Sequence, residues 1–297
     1  MWEGWAVDPK YILKNLQENH PELEINTLEV RQSCDNYVVE VNQTYIFRFP
    51  CSITPAVGLA QEIKLVEYLV DKFHIKLPKY LYVHPQWLYG GYEKIPGVVF
   101  TTEFYNALNE QEKEDVASQL ANFFYVLHDQ QHLSMAYELG LTSDSWPLPP
   151  DVLEQQLASC SMDQDLQALF QSMLVDYKSI EVADQDLVLL HHDVFQDNIL
   201  IDVSARKIAG IIDFSDAALG DRWKDFRLLH LISSDLADRV VRIYAQLEKI
   251  NPDFQRVDTY YLATEFSRLV EGKQSGCVKQ DCWQIIERLK RFAKRTN

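Results

Sequence analysis

The residues best suited to chemistry lie between His191 and Ser215. The stretch opens His191-His192-Asp193-Val194-Phe195-Gln196-Asp197-Asn198 and closes Ile211-Ile212-Asp213-Phe214-Ser215. Asp193 is followed five residues later by Asn198 and fifteen residues after that by Asp213. Phosphoryl transfer needs this set: a carboxylate to accept or orient the attacking hydroxyl's proton, and oxygen ligands to hold Mg²⁺ against a triphosphate. Asp193 suits the first task; Asn198 and Asp213 suit the second. Aspartate or asparagine at a strand end also marks ordinary turns. That explains any one of these residues, but not all three at this spacing between ordered apolar runs.

Those runs are Leu187–Leu190, Ile199–Ile201 and Ile208–Ile212, short enough to read as buried strands. Earlier in the chain, 25–31, 37–41 and 45–49 read as strands, with Asn42-Gln43 as a tight connection. Thr54-Pro55 opens a helix with Leu59, Ile63, Val66, Leu69 and Val70 on one face, and strands follow near 80–83 and 87–92 (Trp87 to Tyr92). After Ile95-Pro96-Gly97 the pattern turns helical. Asn109 with Glu112 forms a capping box, ahead of a face of Val116, Leu120, Phe123, Phe124 and Leu127. Helical spacing recurs over 152–159, 164–179, 222–250, 255–272 and 281–294. The expected class is α+β. A small β-rich N-terminal lobe (1–91) connects through a hinge (92–97) to a larger, mainly helical lobe (98–297), with a ligand cleft between them.

The 297 residues suffice for a large core, and 47% apolar with 24% charged residues is ordinary for a globular protein. No apolar stretch approaches membrane-spanning length, and Met1-Trp2-Glu3-Gly4-Trp5 lacks a secretion signal's basic start. A cytoplasmic protein is expected. Trp2 and Trp5 are candidates to dock the N-terminal segment. Five scattered cysteines (Cys34, Cys51, Cys160, Cys277, Cys282) argue against a disulfide framework. A net charge of −16 disfavours nucleic acid and anionic membrane as partners and favours cations.

Taken together, Tyr45-Ile46-Phe47-Arg48-Phe49-Pro50, Phe124-Tyr125-Val126-Leu127-His128, the Asp193 loop, Ile211-Ile212-Asp213-Phe214 and Gly220-Asp221-Arg222-Trp223-Lys224-Asp225-Phe226 resemble the aminoglycoside phosphotransferase family. The 2″-phosphotransferase branch is the nearest. The resemblance implies a protein-kinase-like bilobal fold and a kinase using ATP or GTP with Mg²⁺. It makes Asp193 the catalytic base, Asn198 and Asp213 the metal ligands, and Tyr92, Glu93, Lys94 and Ile95 the purine-binding linker. Glu62 would pair with Arg48, Ser33 would help cover the phosphates, and Asp225 would brace the catalytic loop. The implied acceptor is a cationic small molecule, an aminoglycoside first of all.

The chain departs from the family pattern in three places. Arg48 stands where kinases commonly carry lysine, and arginine grips phosphate or carboxylate bidentately. The turn Ser33-Cys34-Asp35-Asn36 has no glycine to close over phosphates. The acidic cluster that suits a polycation is mostly replaced by Leu229-His230-Leu231-Ile232-Ser233-Ser234-Asp235. His192, Asp216, Asp235, Asp238, Glu265 and Glu271 are the remaining candidates to touch the acceptor. A macrolide, choline or another amino alcohol therefore stays open as acceptor, and so does a catalytically silent kinase-like binding module.

Overall fold

The computed structural model describes residues 9–33, 36–84, 86, 89–143, 145–158, 162–274 and 279–296. Trp2, Trp5, Cys34, Asp35, Trp87, Cys160 and Cys277 lie outside the described residues.

The N-terminal part is a five-stranded antiparallel sheet in the order β1-β2-β3-β5-β4. Its strands are β1 (Leu28–Gln32), β2 (Asn36–Val41), β3 (Tyr45–Pro50), β4 (Tyr80–Val83) and β5 (Gly90–Glu93). Helices α1 (Pro9–Asn19) and α2 (Ile53–Leu69) flank it. Side-chain alternation along a strand sorts the residues. Phe47 and Phe49 of β3, with Val39 and Val41 of β2, pack against Ile12 and Leu16 of α1. The intervening residues Val38, Ile46 and Arg48 face a cavity on the other side. Asn42 and Gln43 take φ of 53° and 55°, and the Asn42 Oδ1 accepts from the backbone of Asn26 and Thr27 at 2.8 and 3.0 Å. Asparagine tolerates that left-handed conformation better than most residues, so the expected tight connection forms.

The C-terminal part is larger and mainly helical. It contains β6 (Val98–Val99), α3 (Thr102–Asn106), α4 (Glu110–Leu127), α5 (Leu133–Glu138), α6 (Pro150–Leu157) and α7 (Gln164–Ser179). Then come β7 (Leu187–Leu190), β8 (Ile199–Asp202), β9 (Lys207–Ile211) and β10 (Ala218–Asp221). A 3-10 segment (Arg222–Leu231) leads to α8 (Ser234–Glu248), α9 (Phe254–Gln274) and α10 (Lys279–Thr296). The capping box on α4 is complete in both directions, and its predicted apolar face is buried. Helices α4 and α8 build one core with β8 and β9, while α6, α7, α9 and α10 build a second. Among the described residues no helix is long and apolar enough to cross a membrane.

Two short sheets frame the central loop. Strand β7 pairs with β10, and β8 pairs with β6 and β9. Residues 191–198 run between them.

The sequence pattern over 222–250 reads as one helix, and the structure corrects it. Asp225 and Arg227 are fully buried and serve different neighbours, so the chain runs as a 3-10 segment before α8 begins. Helix α1 was not anticipated, although Ile12 and Leu16 carry its i, i+4 signal. Strands β6 and β10 are too short to stand out.

Gly91 lies against the buried Phe47 ring, where an added Cβ would sit 2.3 Å from the nearest ring carbon. Gly91→Ala is therefore expected to destabilise the fold by about 1–3 kcal/mol through overpacking, read as a lower urea midpoint with an unchanged slope.

Candidate active site

The loop after β7 is fixed from beneath by Asp225. Its carboxylate accepts the backbone N–H of His191 at 3.0 Å and of His192 at 2.6 Å. It also accepts the Nε2–H of His128 at 3.0 Å, while His128 Nδ1 faces the Tyr244 hydroxyl at 2.9 Å. Burial opposes the charge on Asp225, yet His128 and these amides hold its pKa below the ordinary range. His192 has a φ of 73°, unusual for a non-glycine residue. The Asp225 bond and the Arg227 guanidinium, which donates to the His192 carbonyl at 2.9 Å, hold it there. His191 donates through Nε2 to the Ile212 carbonyl at 3.2 Å and accepts the Asp193 N–H at 3.3 Å. Burial lowers its pKa, against the pull of Asp225 and Asp213.

Asp193 and Asn198 form a pair above this base. The Asn198 Nδ2 donates to the Asp193 carboxylate at 2.8 Å and to its carbonyl at 2.9 Å. Both amide hydrogens have partners within the loop, so the Asn198 Oδ1 remains as its ligating atom. Burial, with the charges of Asp216 and Asp213, pushes the Asp193 pKa up to about 7, against the pull of Arg227 and Arg268. A carboxylate near neutrality suits proton transfer at physiological pH.

Asp213, just past β9, takes a φ of 69°. Its Oδ1 accepts from Arg48 at 2.9 Å and from the Ser215 hydroxyl at 2.6 Å. Burial opposes its charge, but Arg48 and Ser215 bring the pKa below the ordinary range. It is an anion with hard oxygen donors, as Mg²⁺ requires.

Arg48 also reaches Glu62 of α2 at 2.6 Å, so the expected pair forms, and one guanidinium joins strand, helix and Asp213. The fully buried Glu62 further accepts from Tyr80 at 2.9 Å and the Phe214 N–H at 3.3 Å. The bidentate reach explains how arginine fills a position where a lysine ammonium makes point contacts.

Two cavities flank this junction. One, of about 220 Å³, is walled by Val38, Ile46, Tyr92, Ile95, Leu200 and Ile212, with Arg48, Lys94 and Asp213 at its polar edge. Its apolar walls suit a purine. The other, of about 520 Å³, is lined by Asp193, Asp216, His192 and Glu271, by Thr142, Ser143, Ser145 and Trp146, and by Arg227 and Arg268.

The structure thus brings Arg48, Tyr92, Lys94, Ile95, Asn198, Asp213 and Asp193 together, with Glu62 behind Arg48. Other predicted residues sit elsewhere. Ser33 closes its own turn by bonding Asn36, and Glu93 is exposed on β5, outside the residues lining the smaller cavity. Asp235 is held by Tyr105 and Arg239, and Asp238 shares its helix; neither lines the larger cavity. Glu265 is fully buried between Arg268 and Arg288. The sequence reading missed Gln61, residues 140–143, Ser145, Trp146, Arg227 and Arg268. Gln61 directly precedes Glu62, and Arg227 follows Asp225 by two, so proximity to the assigned residues was the available signal.

This bilobal arrangement, with an Asp-Asn-Asp set between two cavities, defines a small-molecule phosphotransferase of kinase-like fold. A family model for the phosphotransferase enzyme family (APH) matches residues 24–260, and the chain belongs to that family. Among solved structures, the GDP complex of wild-type aminoglycoside 2'-phosphotransferase-IIIa superposes with a TM-score of 0.83 at 21% identity, covering 98% of this chain and 100% of that one. The GDP and kanamycin complex of APH(2")-IIia gives 0.79 at 24% identity, covering 97% and 99%. The macrolide 2'-phosphotransferase MphH from Brachybacterium faecium gives 0.68 at 17% identity, covering 94% and 97%. These likenesses establish the fold.

Two measurements follow from this geometry. In the ligand-free protein the Asp193 carboxyl carbon, followed by ¹³C NMR, should titrate near pH 7. Asp216→Asn should move that midpoint down, because a repelling charge is removed; an unmoved midpoint contradicts the coupling. Arg48→Met leaves Glu62 and Asp213 without their shared cation and should cost about 3–5 kcal/mol, visible in chemical denaturation.

Proposed function

We propose that this protein is a Mg²⁺-dependent kinase that transfers the γ-phosphoryl group of ATP or GTP to a hydroxyl of an aminoglycoside. One observation carries the reading: Asp193 borders the larger cavity, Asp213 borders the smaller, and Asn198 contacts Asp193 directly. The purine lies in the apolar slot beside Tyr92 and Ile95, with residues 92–97 as the hinge between a nucleotide-binding lobe (1–91) and an acceptor-binding lobe (98–297). The acceptor occupies the larger cavity with a hydroxyl against Asp193. Asp193 takes that hydroxyl's proton as the oxygen attacks the γ-phosphorus and the bond to the β-phosphate oxygen breaks, releasing the nucleoside diphosphate. Asn198 Oδ1 and Asp213 would hold Mg²⁺, which neutralises phosphate oxygens when bound. Arg48 keeps Asp213 ionised and in place. A cytoplasmic location fits the use of ATP or GTP.

A second reading keeps the chemistry and changes the acceptor to a macrolide, choline or another amino alcohol. It is favoured by the arginines in the acceptor wall and by Asp235, Asp238 and Glu265 lying outside that wall.

The test is nucleotide turnover with ATP or GTP, Mg²⁺ and a panel of kanamycin, gentamicin, streptomycin, erythromycin and choline. Asp193→Ala should lower acceptor-stimulated turnover by about 10²–10⁴-fold while nucleotide still binds; wild-type-like turnover in that variant sinks the mechanism. Asp213→Ala should lose Mg²⁺-dependent nucleotide affinity, measured by calorimetry.

A further inference from the structure

Among the described residues, the larger cavity is lined entirely by positions between Gly140 and Glu271, with one exception: Gln61, on α2 of the N-terminal part. Gln61 Nε2 donates to the Leu139 carbonyl at 2.9 Å, at the end of α5, where helix geometry leaves carbonyls unpaired. A carbonyl only accepts, so this bond fixes the amide's direction, with Nε2 toward Leu139 and Oε1 away from it. Oε1 has no protein partner among the described residues, and solvent reaches it. Gly140, at a φ of 71°, runs close by: a Cβ there would stand 3.9 Å from Nε2. The next residue, Glu62, holds Arg48 and the Phe214 N–H, so this turn of α2 is fixed by further bonds. Tyr68, seven residues on and on the same helix face, donates to His132 Nδ1 at 3.1 Å, because the Nε2–H of that ring serves the Val126 carbonyl at 3.0 Å. Tyr68 does not line the cavity.

We propose that Gln61 is an acceptor-binding residue, whose Oε1 takes a hydrogen bond from a hydroxyl or ammonium group of the acceptor. This rests on the larger cavity being the acceptor site. Capping α5 uses one N–H of the amide and leaves the oxygen to the cavity. An amide oxygen only accepts, so the group it meets is a donor. Asp193, Asp216 and Glu271 in the same wall also accept when ionised, and together they select a donor-rich molecule, polyhydroxylated or aminated. Gln61 is neutral, so it discriminates by hydrogen bonding and leaves the cavity's charge balance as it is. The acceptor is thereby gripped by both parts of the molecule, since α2 belongs to the N-terminal part and the rest of the wall to the C-terminal part.

The experiment measures kanamycin binding and, separately, Mg²⁺–nucleotide binding by calorimetry in the full-length protein. Wild type is compared with Gln61→Met, Gln61→Glu and Tyr68→Phe, each checked for folding by thermal melting. Methionine keeps the length and removes both polar atoms, so kanamycin should bind about five- to tenfold more weakly, the worth of one hydrogen bond, with nucleotide affinity unchanged. Gln61→Glu loses the donor to Leu139 but keeps the oxygen, and should bind kanamycin at least as tightly as wild type; if Gln61→Met fails to fold, this variant decides. Tyr68→Phe loosens the same face of α2 without touching the cavity and should leave kanamycin affinity as it is. Unchanged kanamycin affinity in Gln61→Met overturns the inference. So does weakening in Gln61→Glu, equal weakening in Tyr68→Phe, or a parallel loss of nucleotide affinity, each of which makes Gln61 a structural cap alone. Kanamycin that does not bind a wild type still competent for nucleotide overturns the inference together with the aminoglycoside reading. Binding is read without turnover, so the result is separate from the Asp193-dependent assay of the chemistry.

Discussion

The buried carboxylate of Asp225 is the contact on which the rest of the site depends. It takes two consecutive backbone amides of the catalytic loop and the ring N–H of His128. A carboxylate so placed costs desolvation, and charge-assisted bonds to every available donor are what make it tolerable. In return the loop is held in a conformation, including the positive φ of His192, that its own sequence does not favour. Asp193 and Asn198 are thus aimed before any ligand arrives, as preorganised catalysis requires. His128 closes the far end of α4, so the helix with the strongest sequence signal ends directly under the chemistry.

Arg48 supplies the complementary tie from above. Without it the sheet, α2 and the segment after β9 would keep the Tyr80 and Phe214 bonds to Glu62 and their apolar packing, which is non-directional. The guanidinium converts that packing into a defined distance between Glu62 and Asp213. Because arginine presents two edges, a single side chain spans both carboxylates. The same residue lies at the polar edge of the smaller cavity, so the geometry of that cavity and that of Asp213 are linked through one group.

Much of this was legible in the sequence where a local rule applied. Alternation placed Phe47 and Phe49 on one face and Arg48 on the other; the Asn109–Glu112 spacing marked the start of α4; short apolar runs bracketed Asp193, Asn198 and Asp213. Legibility failed where tertiary partners decide. Asp235 and Glu265 look like solvent-facing carboxylates on helices, but Arg239, Arg268 and Arg288, distant or on the next turn, capture them. The wall of the larger cavity escaped for the same reason. It is assembled from Gln61, residues 140–143, Ser145, Trp146 and α9, which no spacing rule connects. Helical periodicity across 222–250 concealed a change of winding, since 3-10 and α segments share nearly the same apolar spacing over one or two turns.

That change of winding gives residues 221–231 the character of a ruler. Asp221 meets Arg256 at 2.6 Å, Arg222 meets Glu248 at 2.9 Å, Asp225 meets the catalytic loop, and Arg227 meets Thr264 on α9. Arg256 and Thr264 lie on α9, Glu248 ends α8, and the remaining partner is the loop after β7, so the series ties three parts of the lobe together. At three residues per turn, one inserted or deleted residue rotates everything beyond it by about 120°. The stretch can exchange side chains one at a time, but its length is locked.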